Sequence, residues 1–154
     1  MSEETADTDA SGIMFRALNE IGIIAQLAGT AFERVMPGAM TLPQFAVLNH
    51  LARLGGNRTP LDLARAMQVT KGTMTNTLGH LERAGFISIA PDAKDKRSKR
   101  IDITATGLRA RDAAIATLAP ELRGLSCAVP AEEVAAILPM LERLRRALDA
   151  RRDS

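Results

Sequence analysis

The chain has 154 residues, 46% hydrophobic and 25% charged, which suits one soluble domain with or without an added oligomerisation element. No apolar run approaches the roughly 20 residues of a membrane span, residues 1–12 have neither the basic nor the apolar region of a secretory signal, and the single Cys127 excludes an internal disulfide. The net charge of +2 conceals a basic middle, because residues 53–104 hold ten Lys and Arg against five Asp and Glu, and a local basic patch points to a polyanionic partner.

Residues 1–11 carry Glu3, Glu4, Asp7 and Asp9 without periodicity and are expected to form a disordered acidic tail. From Met14 onward, Leu18, Ile21, Ala25, Ala28, Phe32 and Val35 follow at alternating spacings of four and three. That pattern predicts a helix over 12–36, stopped by Pro37-Gly38, whose extra apolar residues Ile13, Ile23, Ile24 and Leu27 call for several packing neighbours.

Thr41-Leu42-Pro43-Gln44 reads as a capping box opening a second helix that closes at Gly55-Gly56. Thr59-Pro60-Leu61-Asp62 opens a short third helix with Leu61, Leu63, Ala64 and Met67 on its inner side. Thr70 caps a fourth helix running to Ala84, with Gly85 as the residue that ends it. Alternation predicts strands over 86–89 and 100–104, joined by a polar tip. A long helix follows, with Leu108, Ile115, Leu118, Leu122 and Leu125 in register, then a break around Ser126 to Pro130. The last helix carries Val134, Ile137, Leu141, Leu144 and Leu148, and Pro139 is expected to kink or split it.

The order of elements is that of a mostly α chain: a winged helix-turn-helix with a small β-hairpin wing at 41–104, flanked by dimerisation helices at 12–36 and 105–151. Two sustained apolar stripes on the terminal helices exceed what a chain this short can cover alone, so a homodimer is expected; the alternative is a monomeric bundle with the stripes folded inward.

The fourth helix carries the strongest functional signal. Met74, Leu78 and Leu81 share one side; Gly72, Thr73, Asn76, Gly79, His80 and Arg83 take the other, flanked by Thr75 and Thr77. A solvated surface helix is normally filled with oppositely charged pairs, whereas this face is short, polar and almost free of acid. Such a face lets a helix approach base edges in a major groove, and its N-terminal end, at Thr70, Lys71 and Gly72, offers free amides to phosphate. The hairpin tip adds Lys94, Lys96, Arg97, Lys99 and Arg100 within nine residues, too short a tip to bury them, so all five are expected to be exposed. Cationic side chains on a thin ribbon reach backbone phosphate or the minor groove, and Asp95 stands two residues before Arg97, placed to orient its guanidinium.

The run Leu63-Ala64-Arg65-Ala66-Met67, then Leu81-Glu82-Arg83-Ala84-Gly85-Phe86-Ile87, then Asp95-Lys96-Arg97-Ser98-Lys99-Arg100-Ile101-Asp102-Ile103-Thr104 with Gly107, resembles the multiple-antibiotic-resistance regulator (MarR) family, its wing that of the SlyA-like branch. The resemblance implies a homodimeric transcriptional regulator, expected here to be a repressor, that binds double-stranded DNA with its fourth helix in the major groove and a wing Arg in the minor groove. By that resemblance Arg97 is the minor-groove residue, Asp95 its orienting partner, and Thr73, Thr75 and Asn76 fall at base- and phosphate-contacting positions. Family members often carry Arg where this chain has Asn76 and His80. Asn pairs bidentately with adenine, so an adenine is expected at the position read by Asn76.

The family often binds small aromatic or phenolic compounds between the dimer helices and the reading module; Arg16, Asn19, Asn49, His50 and Arg53 are the candidates here, His50 being equally readable as a hydrogen-bonded interior histidine. Peroxide-sensing relatives place a reactive Cys in the first helix, where this chain has none. Two scattered histidines make no metal site, no cofactor is called for, and neither a glycine-rich phosphate loop nor a Cys–His pairing suggests an enzyme. The absence of Trp and Tyr argues against stacking platforms for single strands. The expected address is the cytoplasm, with no membrane partner. The competing reading is a winged-helix protein-interaction adaptor without DNA binding.

Overall fold

A computed structural model describes residues 2–38, 40–93, 95 and 98–152, with the side chains of 2–8 and 152 outside that description. The chain divides into two bodies, residues 1–117 and 118–154. The described residues form helices α1 (Ser2–Val35), α2 (Leu42–Leu54), α3 (Pro60–Met67), α4 (Lys71–Arg83), α5 (Ala105–Ala128) and α6 (Ala131–Arg152), and strands β1 (Ile87–Pro91) and β2 (Lys99–Ile103). Among them no single helix is long and apolar enough to cross a membrane.

Helix boundaries follow local chemistry. At α2, the Thr41 hydroxyl accepts from the Gln44 amide at 3.4 Å, and the Gln44 side chain accepts from the Thr41 amide at 3.0 Å. Thr59 and Asp62 repeat this reciprocal box at α3, at 3.1 and 3.0 Å. α4 closes in a Schellman motif: Gly85 N–H bonds Glu82 O, Phe86 N–H bonds Leu81 O, and Gly85 takes the left-handed φ of 71° that the motif requires. The same two-bond closure ends α3, with Gln68 rather than glycine at φ 53°. That tight closure is the turn between α3 and α4.

The core of the first body gathers Val47, Leu48 and Leu51 of α2, Leu63 and Ala64 of α3, Met74, Leu78 and Leu81 of α4, and Ile87 and Ile101 of the hairpin. β1 and β2 are antiparallel, with Ile87 opposite Ile103 and Ile89 opposite Ile101. Alternation sends Ile87 and Ile101 into the core while Ser88 and Asp102 face outward. Arg58, between α2 and α3, pairs its backbone with Ile101 as a one-residue third strand.

Several expectations change. α1 starts at Ser2, so residues 2–11, expected as a disordered tail, are helical backbone. That stretch lacks an apolar stripe, yet no Pro or Gly precedes Gly12, and acidic residues suit a helix N-terminus. Leu61 is 48% exposed rather than inward, because it sits ~110° around α3 from the centre of the buried arc. The strands are shifted: Phe86 belongs to the turn after α4, and β1 extends through Pro91. The break before the last helix is shorter than expected, since α5 continues through Ala128 and holds Cys127 in its last turn. α6 runs as one helix through Pro139, as α5 does through Pro120.

In the second body, Leu122, Leu125, Val134, Ile137, Leu138 and Leu148 are all exposed, and in the first body so are Ile13, Met14, Phe15, Ile24 and Leu27 of α1.

Candidate nucleic-acid interface

α4 is held by its apolar side. Met74, Leu78 and Leu81 are at most 3% exposed, and this fixes which face of the helix looks outward. Lys71, Gly72, Thr73, Thr75, Asn76, His80 and Arg83 are all exposed there. Thr70, the N-cap, spends its oxygen on the Thr73 amide at 3.1 Å and shares a 2.9 Å hydroxyl contact with Thr73. No acid lies in the first turn, so the positive end of the helix dipole and Lys71 add without a counter-charge. At the other end, Arg83 donates to Gly79 O at 3.1 Å and to His80 Nδ1 at 2.9 Å. A guanidinium only donates, so in the neutral ring Nδ1 is the acceptor and the proton sits on Nε2.

The wing is anchored at its base by a group whose role the sequence does not reveal. Asp92 is 6% exposed. One oxygen of its carboxylate accepts from the Asp95 amide at 3.3 Å and the other pairs with Arg100 Nε. Arg100 also donates to Asn57 O at 3.2 Å, tying the hairpin to the α2–α3 connection. Asp92 N–H to Ser98 O and Ser98 N–H to Asp95 O, at 2.9 and 2.8 Å, close the tip. Arg100, expected to be a solvated tip cation, is therefore turned inward as a structural ion pair. A short hairpin cannot bury a cation by itself, but a carboxylate buried at its base draws this one, half-buried, into an ion pair. Lys99 is exposed. Lys94, Lys96 and Arg97, and with them the Asp95–Arg97 pairing, lie outside the described residues.

On the opposite strand face, Asp102 accepts from the Asn57 amide at 2.7 Å. A Cβ on Gly56 would stand 1.9 Å from that carboxylate, so glycine is what allows the connection to approach the hairpin. Asp62 has its carboxyl held below the usual carboxylate range, first by the Thr59 amide it accepts from, then by the Thr59 hydroxyl and the charges of Arg100 and Arg58.

An open cleft of about 670 Å³ separates α4 from the wing, lined by Lys71, Thr75 and Gly79 on one side and Ile89, Asp95, Ser98 and Lys99 on the other. The structure thus brings Lys71, Thr75, Asp95 and Lys99 of the predicted interface to one cleft, while Thr73 and His80 line others.

The predicted effector residues are more scattered. Arg16 and Asn19 line a shallow concavity formed by α1 alone. Asn49 Oδ1 accepts from Arg111 of α5 at 3.2 and 2.9 Å, a partnership across 62 residues with no local signature. His50 is half-buried and Arg53 exposed. A separate cleft of about 540 Å³ is lined by Pro37, Gly38, Met40, Gln44, His80, Ala84, Phe86, Ala110 and Ala113; of the residues singled out from the sequence, it takes His80. Among the described residues no three His, Cys, Asp or Glu side chains group as metal ligands.

Comparison with known proteins agrees with this geometry. Residues 40–98 match the model of the MarR family. The transcriptional activatory protein BadR of Rhodopseudomonas palustris is 32% identical over 80 residues, 51% of this chain and 46% of that protein, so the matched stretch spans less than half of the relative's length. Among solved structures, wild-type apo MarR from E. coli aligns with a TM-score of 0.70 at 24% identity, over 82% of this chain and 94% of that one. A mutant of MarR from E. coli, complexed with operator DNA, aligns with a TM-score of 0.67 at 22% identity, over 85% and 94%. These structural likenesses establish the fold. Through residues 40–98 the chain is similar to the MarR family.

Proposed function

We propose that the chain is a non-enzymatic transcriptional regulator that binds double-stranded DNA as a homodimer on a pseudo-palindromic operator. The observation that carries this reading is the outer face of α4, a row of exposed, short, acid-poor side chains on a helix pinned from behind by three core residues. A helix of that kind enters a major groove without steric or electrostatic penalty. The basic wing beside it supplies cations for backbone or minor-groove contact, with Arg97 as the minor-groove residue and Asp95 as its orienting partner. The likeness in fold to an E. coli MarR mutant complexed with operator DNA supports DNA as the partner.

Dimerisation is supported by the exposed apolar residues of α1 and of the second body, which a second copy would cover. Repression or activation depends on where the operator lies relative to the promoter; the sequence reading favours a repressor, while the relative BadR is named an activatory protein. A small phenolic or aromatic effector would find apolar walls at Met40, Phe86, Ala110 and Ala113 and polar groups at Gln44 and His80 in the cleft behind α4. Its occupancy would bear directly on the C-terminal end of that helix. Such a regulator works in the cytoplasm.

Selection of duplexes from a randomised library by the full-length protein tests the proposal. Enrichment of an inverted repeat whose half-site centres lie about 10 bp apart, with affinity falling steeply as salt rises, supports it. A protein that enriches no duplex but forms salt-insensitive protein complexes is instead an interaction adaptor.

A further inference from the structure

Several threonines inside the helices turn their hydroxyls back onto the turn before: Thr30 donates to Gln26 O at 3.2 Å, Thr75 to Lys71 O at 2.8 Å, Thr77 to Thr73 O at 3.1 Å and Thr117 to Ala113 O at 2.9 Å. The bond recurs in three separate helices, and the described helical threonines that pair otherwise, Thr73 and Thr106, stand in first turns, so it is the ordinary state of a threonine past the first turn and not a response to particular neighbours. Among these four Thr75 has the shortest bond, and it lies exposed on the flank of the outer face of α4, beside the wing cleft and immediately before Asn76.

The consequence is one of proton accounting. A hydroxyl has a single proton, and that of Thr75 is committed to the Lys71 carbonyl. The side chain therefore has nothing to donate to a phosphate oxygen, or to the N7, O6 and O4 acceptors of base edges. What it presents is its γ-methyl group and a lone pair on Oγ1. In the major groove the apolar counterpart of a methyl is the C5-methyl of thymine. Phosphate contact at this end of the helix falls instead to Lys71 and the free amides of the first turn, which are donors.

We propose that Thr75 is a specificity-determining residue that reads thymine through its methyl group while its hydroxyl stays bonded within the helix. This rests on the reading of α4 as the recognition helix. It makes Thr75 and Asn76 an adjacent pair with different chemistry, one apolar contact and one amide fork.

The test uses full-length protein and the duplex it enriches from a randomised library, with each thymine replaced in turn by deoxyuridine, which deletes only the methyl. One thymine in each half-site is expected to respond, its replacement weakening binding about fourfold per half-site, the worth of one buried methyl. Thr75→Val keeps the methyl and removes the hydroxyl; it is expected to bind the unmodified duplex within about twofold of the native protein and to keep the deoxyuridine response. Thr75→Ser keeps the hydroxyl and removes the methyl; it is expected to bind about fourfold more weakly per half-site and to lose that response. Thr75 is exposed, so neither change touches the core, and thermal melts verify the fold of both variants. If Val costs more than Ser, or if no thymine position separates the native protein from the Ser variant, the hydroxyl is the reader and the proposal is overturned. A native protein that enriches no duplex overturns the recognition-helix reading itself, a different outcome from enrichment without methyl sensitivity.

Discussion

At the scale of single residues, the chain separates side chains that hold the interface from side chains free to use it. Asn76 makes the second group concrete: exposed, one residue past Thr75, and carrying an amide that matches the N6 and N7 edge of adenine. Asn76→Ala is expected to cost about 1–3 kcal/mol on the duplex with adenine at the contacted position and much less on duplexes substituted there, measured by titration against base-substituted operators. Equal losses on every sequence would exclude base reading by that residue. Asp62 belongs to the first group. Its carboxyl titrates below the ordinary range because the folded state donates hydrogen bonds to the charged form, from Thr59 above all. A lowered folded-state value means that the stabilisation is fully present above the ordinary carboxylate range and is lost as pH falls through the lowered value. Asp62→Asn is therefore expected to lose about 1 kcal/mol in urea unfolding at neutral pH, with the difference from the native protein shrinking toward zero in strong acid. A difference that persists unchanged at low pH would contradict the charge-based cap.

At the scale of elements, the sequence is most legible where structure is made locally. The capping boxes at Thr41 and Thr59 and the stops at Gly55 and Gly85 mark helix ends correctly, because a cap is a bond between near neighbours in the chain. Alternation likewise assigns the buried side of the hairpin. What depends on distant partners is not legible. Asp92 and Arg100 look like two more charges of a solvated tip until the hairpin closes and buries one carboxylate under the other's guanidinium. Arg111 and Asn49 meet only when α5 crosses α2. Residues 2–11 mislead for the converse reason: an apolar stripe is the signal that periodicity detects, and this helical stretch of sequence has none. The junction of α4, wing and α5 supplies a sharp test. A Cβ on Gly107 would lie 2.0 Å from the carbonyl oxygen of Phe86, which also accepts from the Thr104 amide at 3.0 Å. The neighbour it meets is the Phe86 backbone, which cannot swing aside as a side-chain end can, so Gly107→Ala is expected to destabilise the protein by about 1–3 kcal/mol in urea unfolding. An unchanged midpoint would show that the junction is looser than its geometry. For the wing, Arg97→Ala is expected to weaken operator binding at moderate salt, by fluorescence anisotropy, with the fold intact; retained native affinity would remove the wing from the interface.

At the scale of the whole molecule, one body carries the exposed face of α4 and the wing, and both bodies leave apolar residues uncovered. The proposed second copy would cover those residues and, in doing so, duplicate α4 about a two-fold axis. On that proposal, the spacing of the two copies of α4 would decide which DNA is read. Hydroxyl-radical footprinting of the enriched operator, with the stoichiometry of the complex taken from sedimentation, examines that arrangement most directly. The account predicts two protomers per duplex and two protected patches on one face of the DNA, centred about one helical turn apart. One protomer per duplex with a single protected patch, or a dimer whose footprint lacks that spacing, would contradict it.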